Sequence, residues 1–140
     1  MTRVYWDTNL FAYWIEDHPE FGARVGEIRR GMAQRGDRLC ASVFTLAELL
    51  VLPQRRRNRE AAAWIQEMFE AEVEVLPLAL DAAPRFAAIR ADSRVAAADA
   101  LHLAIAATAG VSLFLTNDRR LHKLSVPGIA FIAGLDNGLY

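Results

Sequence analysis

The sequence predicts an α/β fold in which helices cover both faces of a parallel sheet. Short runs rich in Val, Ile, Leu and aromatic residues alternate with longer segments of helical periodicity, which is typical of this class. Hydrophobic residues make up 54% of the 140 positions. A chain of this length and composition can bury a sizeable core, so we expect one domain over residues 1–140.

The first elements follow from local patterns near the N-terminus. Arg3–Trp6 is a predicted strand because it combines Val with aromatic residues. Asn9–Trp14 begins a helical pattern. Glu20–Gln34 spaces its apolar residues three and four positions apart, as expected of a helix with one buried face. Arg38–Ser42 is then a brief strand, so the chain starts with two strands separated by helices.

The middle of the chain repeats the alternation. Val43–Leu52 is a strongly apolar helix that we expect to end or kink at Pro53, since proline lacks the N–H a helix needs. Arg59–Glu72 is a further helix, and Val73–Pro77 is a strand. The residues expected to face inward from the second of these helices are Trp64, Ile65, Met68 and Phe69.

The last elements have clear boundary residues. Asp81 is placed to cap the next helix. Ala96–Ala109 is an alanine-rich helix that Gly110 closes as C-cap. Val111–Thr116 is a predicted buried strand, and Ile129–Ile132 is the last one. Ligands of such sheets bind at the carboxyl ends of the strands, which directs attention to the residues that follow each strand.

Composition excludes several functional classes. Sixteen Lys and Arg against seventeen Asp and Glu give a net charge of −1, which is not the basic character of a dedicated nucleic-acid binder. Cys40 is the only cysteine, so no intrachain disulfide forms and a reducing compartment fits. The N-terminus lacks a signal-peptide pattern and no apolar run is long enough to span a bilayer. We therefore expect a cytoplasmic protein without membrane contact.

Four acids stand out because their surroundings are apolar. Asp7 follows the first strand, Asp118 follows the strand VSLFLT, and Glu48 and Asp99 lie in apolar helices that must pack on the sheet. Carboxylates meeting at one sheet edge repel each other unless a cation neutralises them. Oxygen ligands without a His or Cys cluster suit Mg²⁺ or Mn²⁺. The pattern predicts metal-assisted hydrolysis of a phosphodiester.

Three of the four acids also have an ordinary structural explanation. Asp7 and Asp118 both precede helix starts and could be N-caps. Asp99 could cap its own helix or face solvent. The joint placement of the four acids, rather than any one of them, favours a catalytic site.

Four short motifs, in order, carry a family resemblance. They are DTN at residues 7–9, TLAEL at 45–49, DALHLAIA at 99–106 and LTND at 115–118. Over essentially its whole length the chain resembles a PIN-domain ribonuclease of the VapC type found in type II toxin–antitoxin pairs. The resemblance implies a three-layer α/β/α sandwich with sheet order 3-2-1-4-5. It further implies a Mg²⁺- or Mn²⁺-dependent endoribonuclease, a homodimer, and a cognate antitoxin whose C-terminal segment covers the site.

The family's acidic quartet falls on identifiable residues of this chain. By resemblance, the catalytic and metal-binding residues are Asp7, Glu48, Asp99 and Asp118. Thr116 matches a small hydroxyl residue often seen beside the fourth acid in relatives, and we expect it to support the site. Many relatives carry another acid and an aromatic residue after that acid, whereas this chain has Arg119-Arg120-Leu121. The residues predicted to contact substrate are Thr116, Asn117, Arg119 and Arg120.

Three further features have open interpretations. His102 lies three positions after Asp99 and can share its helix face; packing or hydrogen bonding is favoured over a general-base role. The basic run at residues 54–59, with Arg55–Arg59, could contact RNA or an antitoxin, or could be a solvated helix end. The apolar first helix, Leu10–Ile15, could supply a surface for a partner.

Other families fit the sequence less well. A phosphoaspartate receiver needs an adjacent acidic pair after the first strand, but Trp6 precedes Asp7. A haloacid-dehalogenase phosphatase needs an Asp at position 9, which is Asn9. The remaining alternative is a catalytically silent PIN-like module that binds RNA or protein, and only an activity measurement separates it from the nuclease.

Overall fold

A computed structural model of the chain describes residues 2–140 and contains a five-stranded sheet in the order β3-β2-β1-β4-β5. Every neighbouring pair in that sheet is parallel. The predicted α/β class and the sheet order that the resemblance implied are both confirmed. The strands are β1 (Arg3–Trp6), β2 (Arg38–Ser42), β3 (Glu74–Leu76), β4 (Leu113–Leu115) and β5 (Phe131–Ala133).

The helices connect these strands and pack on the two faces of the sheet. They are α1 (Thr8–Ile15), α2 (Gly22–Arg35), α3 (Val43–Arg55), α4 (Arg59–Glu72), α5 (Ala82–Asp92) and α6 (Ala97–Ala109), and a 3₁₀ turn spans Leu121–Lys123. In residues 2–140, none of these helices combines the length and the apolar composition that crossing a membrane requires.

Strand β1 lies at the centre of the sheet and supplies both layers of the core. Side chains alternate along a strand, so Val4 and Trp6 point to one face and Tyr5 to the other. Val4 and Trp6 join an apolar cluster with α1, α2 and α4, whereas Tyr5 joins a second cluster with α5 and α6. All three side chains are fully buried. Asp7 therefore follows a strand whose position is fixed from both sides.

Three expectations from the sequence were wrong in detail. Helix α3 does not end at Pro53 but continues to Arg55, with the Pro53 side chain buried; the alternative of a kink at Pro53 stays a prediction. Trp64 is 51% exposed and does not face the core. Asp81 occupies the N-cap position of α5 but makes no capping hydrogen bond.

Candidate functional site

The Asp7 carboxylate is held at the junction of β1 and α1 by two hydrogen bonds. Its Oδ1 accepts from the backbone N–H of Thr8 at 2.8 Å, which makes Asp7 the N-cap of α1. Its Oδ2 accepts from the hydroxyl of Thr116 at 2.7 Å. The Asp7 backbone N–H donates to Leu115 O at 2.9 Å, which continues the pairing of β1 with β4. The carboxylate is therefore buried and fixed in orientation before any ligand binds.

Glu48 reaches the same region from α3. That helix starts with a reciprocal capping box between Ser42 and Thr45, which fixes its first turn at the end of β2. Glu48 Oε1 accepts from the Thr8 hydroxyl and from His102 Nε2, each at 2.6 Å. Burial raises the pKa of Glu48, but the hydrogen bonds from His102 and Thr8 outweigh it, so the net pKa is lowered. Glu48 is thus an ionised carboxylate at neutral pH.

Asp99 is the acid whose negative charge is least compensated. It lies in the first turn of α6 and is half-buried. Burial raises the pKa of Asp99, and the negative charges of Asp7 and Asp118 raise it further. Within the described chain no hydrogen bond ends on its carboxylate. The charges of Asp7 and Asp118 thus both oppose the ionisation of Asp99.

Asp118 follows β4 and is paired within the chain. Arg120 binds it through two parallel contacts, Nε to Oδ1 at 3.0 Å and Nη2 to Oδ2 at 2.7 Å. This pairing holds the pKa of Asp118 below its ordinary value. The Arg120 side chain is 85% exposed, so it can move away when another cation or a phosphate arrives.

Two hydroxyl groups connect the acids. The Thr8 hydroxyl donates to Glu48, while the Thr8 backbone binds Asp7. The Thr116 hydroxyl donates to Asp7 and accepts from the backbone N–H of Asp118 at 3.1 Å. Thr8 and Thr116 therefore join Asp7, Glu48 and Asp118 at the ends of β1 and β4. Asp99 is linked to this group by charge, since Asp7 and Asp118 both oppose its ionisation.

The acids form an open arrangement rather than a closed cage. In residues 2–140, no three His, Cys, Asp or Glu side chains are grouped tightly enough to hold a metal ion by themselves. Mg²⁺ usually keeps several waters and takes only one or two carboxylates directly. The oxygen-only donors and the repulsion at Asp99 fit such a hydrated cation, whereas a metal that needs nitrogen or sulfur ligands does not fit.

The residues predicted to contact substrate differ in their accessibility. Thr116 is fully buried and its hydroxyl is bonded to protein atoms. Asn117 is half-buried and donates to the Tyr13 hydroxyl at 3.1 Å. Arg119 and Arg120 are exposed. Arg119 also lines a polar groove of about 800 Å³, together with Arg24 and Lys123 among others.

Sequence reasoning missed the contribution of two residues. Thr8 lies inside the motif DTN, but its double contact with Asp7 and Glu48 has no signature in a single sequence. Tyr5 is a core strand residue by its pattern, yet its hydroxyl lies 2.7 Å from His102 Nδ1. The i, i+3 spacing of Asp99 and His102 was the only signal that pointed to this part of the site.

Comparisons with known proteins place the chain in a family. The family model for the PIN domain matches residues 4–127. The solved VapBC2 complex of Rickettsia felis matches at a TM-score of 0.77 and 16% identity, covering 95% of this chain and 98% of that one. DNA-bound VapBC from Salmonella typhimurium matches at a TM-score of 0.75 and 26% identity, covering 96% of this chain and 99% of that one. Mycobacterium tuberculosis VapBC-5 matches at a TM-score of 0.63 and 23% identity, covering 94% of this chain and 98% of that one. A comparison with curated protein sequences gives no match. The chain belongs to the PIN domain family.

Proposed function

We propose that this protein is a metal-dependent endoribonuclease and the toxin of a toxin–antitoxin pair. One observation carries the proposal: Thr8 and Thr116 join Asp7 to Glu48 and to Asp118, and the charges of Asp7 and Asp118 oppose the ionisation of Asp99. Such a cluster is costly without a bound cation. Membership of the PIN family, which consists of nucleases, supports a hydrolytic role for that cation.

The acidic quartet would hold Mg²⁺ or Mn²⁺. Asp7, Glu48, Asp99 and Asp118 offer only oxygen donors, the ligands that these cations prefer. The bound cation would supply an activated water and would neutralise charge on the phosphate. The rigid hydrogen bonds to Asp7 and Glu48 keep two of the ligands in place, which lowers the cost of binding.

The residues of the chain would also bind and orient the substrate. The guanidinium groups of Arg119 and Arg120 can bind a phosphate through paired hydrogen bonds. Arg120 is bonded to Asp118, so it would exchange that carboxylate for the substrate phosphate. Thr116 is buried against Asp7, and we assign it a supporting role rather than a substrate contact. Asn117 lies between these groups and stays a candidate substrate contact.

The polar groove beside Asn117 is the better candidate for an RNA path than the distal basic run. Arg24, Arg119 and Lys123 line the groove together with Glu20 and Asp136, and Asn117 in its wall directly precedes Asp118. The run Arg55–Arg59 is exposed at the turn between α3 and α4. It begins about 10 Å beyond Glu48 along α3, since a helix rises about 1.5 Å per residue. Substituting the arginines of this run would test whether it makes the first contact with RNA.

An antitoxin is the partner that the solved neighbours suggest, since VapBC-5 belongs to a family of toxin–antitoxin systems and a toxin–antitoxin complex from Klebsiella pneumoniae also matches. Leu10 and Phe11 are fully buried, so only the outer face of α1 can meet a partner. That face borders an apolar groove of about 160 Å³, and the groove is where we place the antitoxin. Its apolar lining is Ala12, Ile15, Leu49, Leu52, Pro53, Ala61 and Ile65.

We also propose a homodimer formed through a separate apolar surface. A hollow of about 690 Å³ between α5 and the start of α6 is lined almost wholly by apolar side chains, including Phe44, Phe86 and Leu101. Leu80 at its edge is 92% exposed. Exposed apolar surface of this kind is typical of a subunit contact.

A protein that acts on RNA and binds an antitoxin in this way would act in the cytoplasm.

RNA cleavage by purified protein tests the proposal. We expect cleavage of RNA with Mg²⁺ or Mn²⁺, none in EDTA, and recovery when metal is restored. Asp99→Asn protein purified in parallel controls for contaminating nuclease and should be inactive. Cleavage by Asp99→Asn at the wild-type rate would contradict the proposed site, and a wild-type protein that binds RNA without cleaving it would favour the silent binding module.

A further inference from the structure

We propose that His102 is a positioning residue that holds the Glu48 carboxylate in one orientation through a chain of hydrogen bonds beginning at Tyr5. This inference rests on the proposed function, because Glu48 matters here as one of the proposed metal ligands. His102 would act on the cation only through Glu48. Its role therefore goes beyond packing but does not include contact with the substrate.

The geometry of His102 leaves it little freedom. The side chain is only 2% exposed. Nε2 lies 2.6 Å from Glu48 Oε1, and Nδ1 lies 2.7 Å from the Tyr5 hydroxyl. The ring packs edge-on against Tyr5 at 5.9 Å between centroids and lies 5.1 Å from the ring of Phe44. Both ring nitrogens are thus bonded, and the ring plane is fixed by its neighbours.

The direction of each hydrogen bond follows from the chemistry of its members. An ionised carboxylate only accepts, so His102 Nε2 carries the hydrogen that binds Glu48. With Nε2 carrying that hydrogen, Nδ1 of the neutral ring is the acceptor, and in that form the Tyr5 hydroxyl donates to it. Tyr5 is fully buried at the centre of the sheet, which keeps the phenol protonated and in place. The chain therefore runs from Tyr5 through His102 to Glu48.

The chain selects one oxygen of Glu48. His102 and the Thr8 hydroxyl both donate to Oε1, and among the described residues no donor is bonded to Oε2. The Glu48 side chain is 32% exposed, so without these donors it would sample several rotamers in water. Because Oε1 is held, Oε2 has no competing hydrogen bond and can bind a cation. The side chain is also ordered beforehand, so less conformational entropy of Glu48 is lost when the cation binds.

The same contacts argue against a general-base role for His102. Its Nε2 is already bonded to Glu48, and its Nδ1 faces the buried Tyr5. Neither nitrogen is free to take a proton from a water molecule. Supporting partners of metal ligands typically change metal affinity or activity by about 10- to 100-fold when removed. This is the size of effect expected if His102 positions Glu48.

The test compares variants by Mn²⁺ binding to the free protein, measured by calorimetry. His102→Leu removes both hydrogen bonds and should weaken Mn²⁺ binding by about tenfold or more. His102→Gln supplies one donor and one acceptor and should restore most of the affinity. His18→Gln changes a histidine whose Nδ1 binds only backbone N–H groups of Glu20 and Phe21, and it should leave binding unchanged.

Cleavage assays then separate positioning from a direct chemical role. In His102→Leu protein we expect the Mg²⁺ concentration for half-maximal cleavage to rise, while kcat at saturating Mg²⁺ falls much less. Tyr5→Phe, which removes only the first hydroxyl of the chain, should shift Mn²⁺ affinity in the same direction by a few-fold. If His102→Leu protein does not fold, the Tyr5→Phe variant serves as the test in its place.

Two failures can be told apart. If the wild type binds Mn²⁺ and cleaves RNA but neither His102→Leu nor Tyr5→Phe changes Mn²⁺ affinity, the positioning role is wrong and the nuclease assignment stands. If the wild type neither binds Mn²⁺ nor cleaves RNA, the proposed function fails and this inference fails with it.

Discussion

At the scale of single residues, the four acids are equal in charge but not in surroundings. Asp7 accepts two hydrogen bonds and caps α1, whereas Asp99 receives none in the described chain and meets two like charges. From the sequence alone, removing any one charge should relieve repulsion. The structure predicts instead that the two aspartates respond in opposite ways, because only one of them is part of the hydrogen-bonded framework.

Asp99→Asn should unfold, in EDTA at pH 7, at a temperature no lower than the wild type. The folded-state pKa of Asp99 is raised, so its ionised form destabilises the fold above the unfolded-state pKa. That penalty disappears as the pH falls through the raised pKa, so the advantage of the variant should fade under acid conditions. Thermal unfolding between pH 3 and 8 measures this, and a clearly lower melting temperature at pH 7 would mark Asp99 as a structural partner.

Asp7→Ala should destabilise the protein even without metal. The variant loses the N-cap of α1 and leaves the buried Thr116 hydroxyl without its acceptor. Losses of this kind cost about 1–2 kcal/mol. Urea unfolding measures the difference, with the exposed Asp92→Ala as control, which should stay within about 0.5 kcal/mol of the wild type. Equal stability of the two variants would contradict the capping role.

Arg120→Gln should change two kinetic constants in opposite directions. The Mg²⁺ concentration needed for half-maximal cleavage should fall, because Arg120 no longer competes with the cation for Asp118. The KM for RNA should rise by several-fold, because a phosphate contact is lost. Titrations of Mg²⁺ and RNA against the cleavage rate give both values. A KM equal to that of the wild type would remove Arg120 from the substrate contacts.

At the scale of elements, the sequence predicted boundaries well where a residue type has a local reason to be there. Gly110 ends α6 in a left-handed conformation at φ 67°, as its place after an alanine-rich helix predicted. The prediction failed at Trp64, because Ile65, Met68 and Phe69 define the buried face of α4 and Trp64 lies about 100° away from Ile65. Apolar character alone did not show which turn position faces the sheet.

Gly110→Ala should lower stability by about 1 kcal/mol, or a few degrees in Tm, without changing cleavage. No atom lies within 4 Å of an added Cβ, so the cost comes from the positive φ alone. Gly26→Ala is the opposing control, since Gly26 lies inside α2 with only the flexible end of Arg30 nearby. That variant should be more stable than the wild type, and a Gly110→Ala protein of unchanged stability would contradict the left-handed cap.

At the scale of the whole molecule, the site depends on sheet order. Strand β1 lies between β2 and β4, so Asp7 and Asp118 become neighbours although most of the chain separates them. Alternating strands and helices predicted a parallel sheet but not this order, which came from the family resemblance. The bonds of Tyr5 and Thr8 to the site arise only when the elements pack, so a single sequence could not reveal them.

The partner prediction also belongs to the whole molecule. We expect the antitoxin to inhibit by placing an Arg or Lys among the carboxylates, where it displaces the cation. Its Arg→Ala or Lys→Ala variant should bind but lose inhibition in a cleavage assay. Leu52→Asp, in the groove beside α1, should weaken binding itself, whereas Leu139→Asp outside the groove should not. Full inhibition by the neutral antitoxin variant would show that blockage is steric.

The most direct test of the central claim is an anomalous difference map from crystals of the protein grown with Mn²⁺. We expect one strong peak at the sheet edge, bound by carboxylate oxygens of the acidic quartet and by water, and lost in Asp99→Asn crystals. The quartet to be inspected is Asp7, Glu48, Asp99 and Asp118. A map without a peak there at saturating Mn²⁺, or with the metal bound elsewhere, would contradict the account.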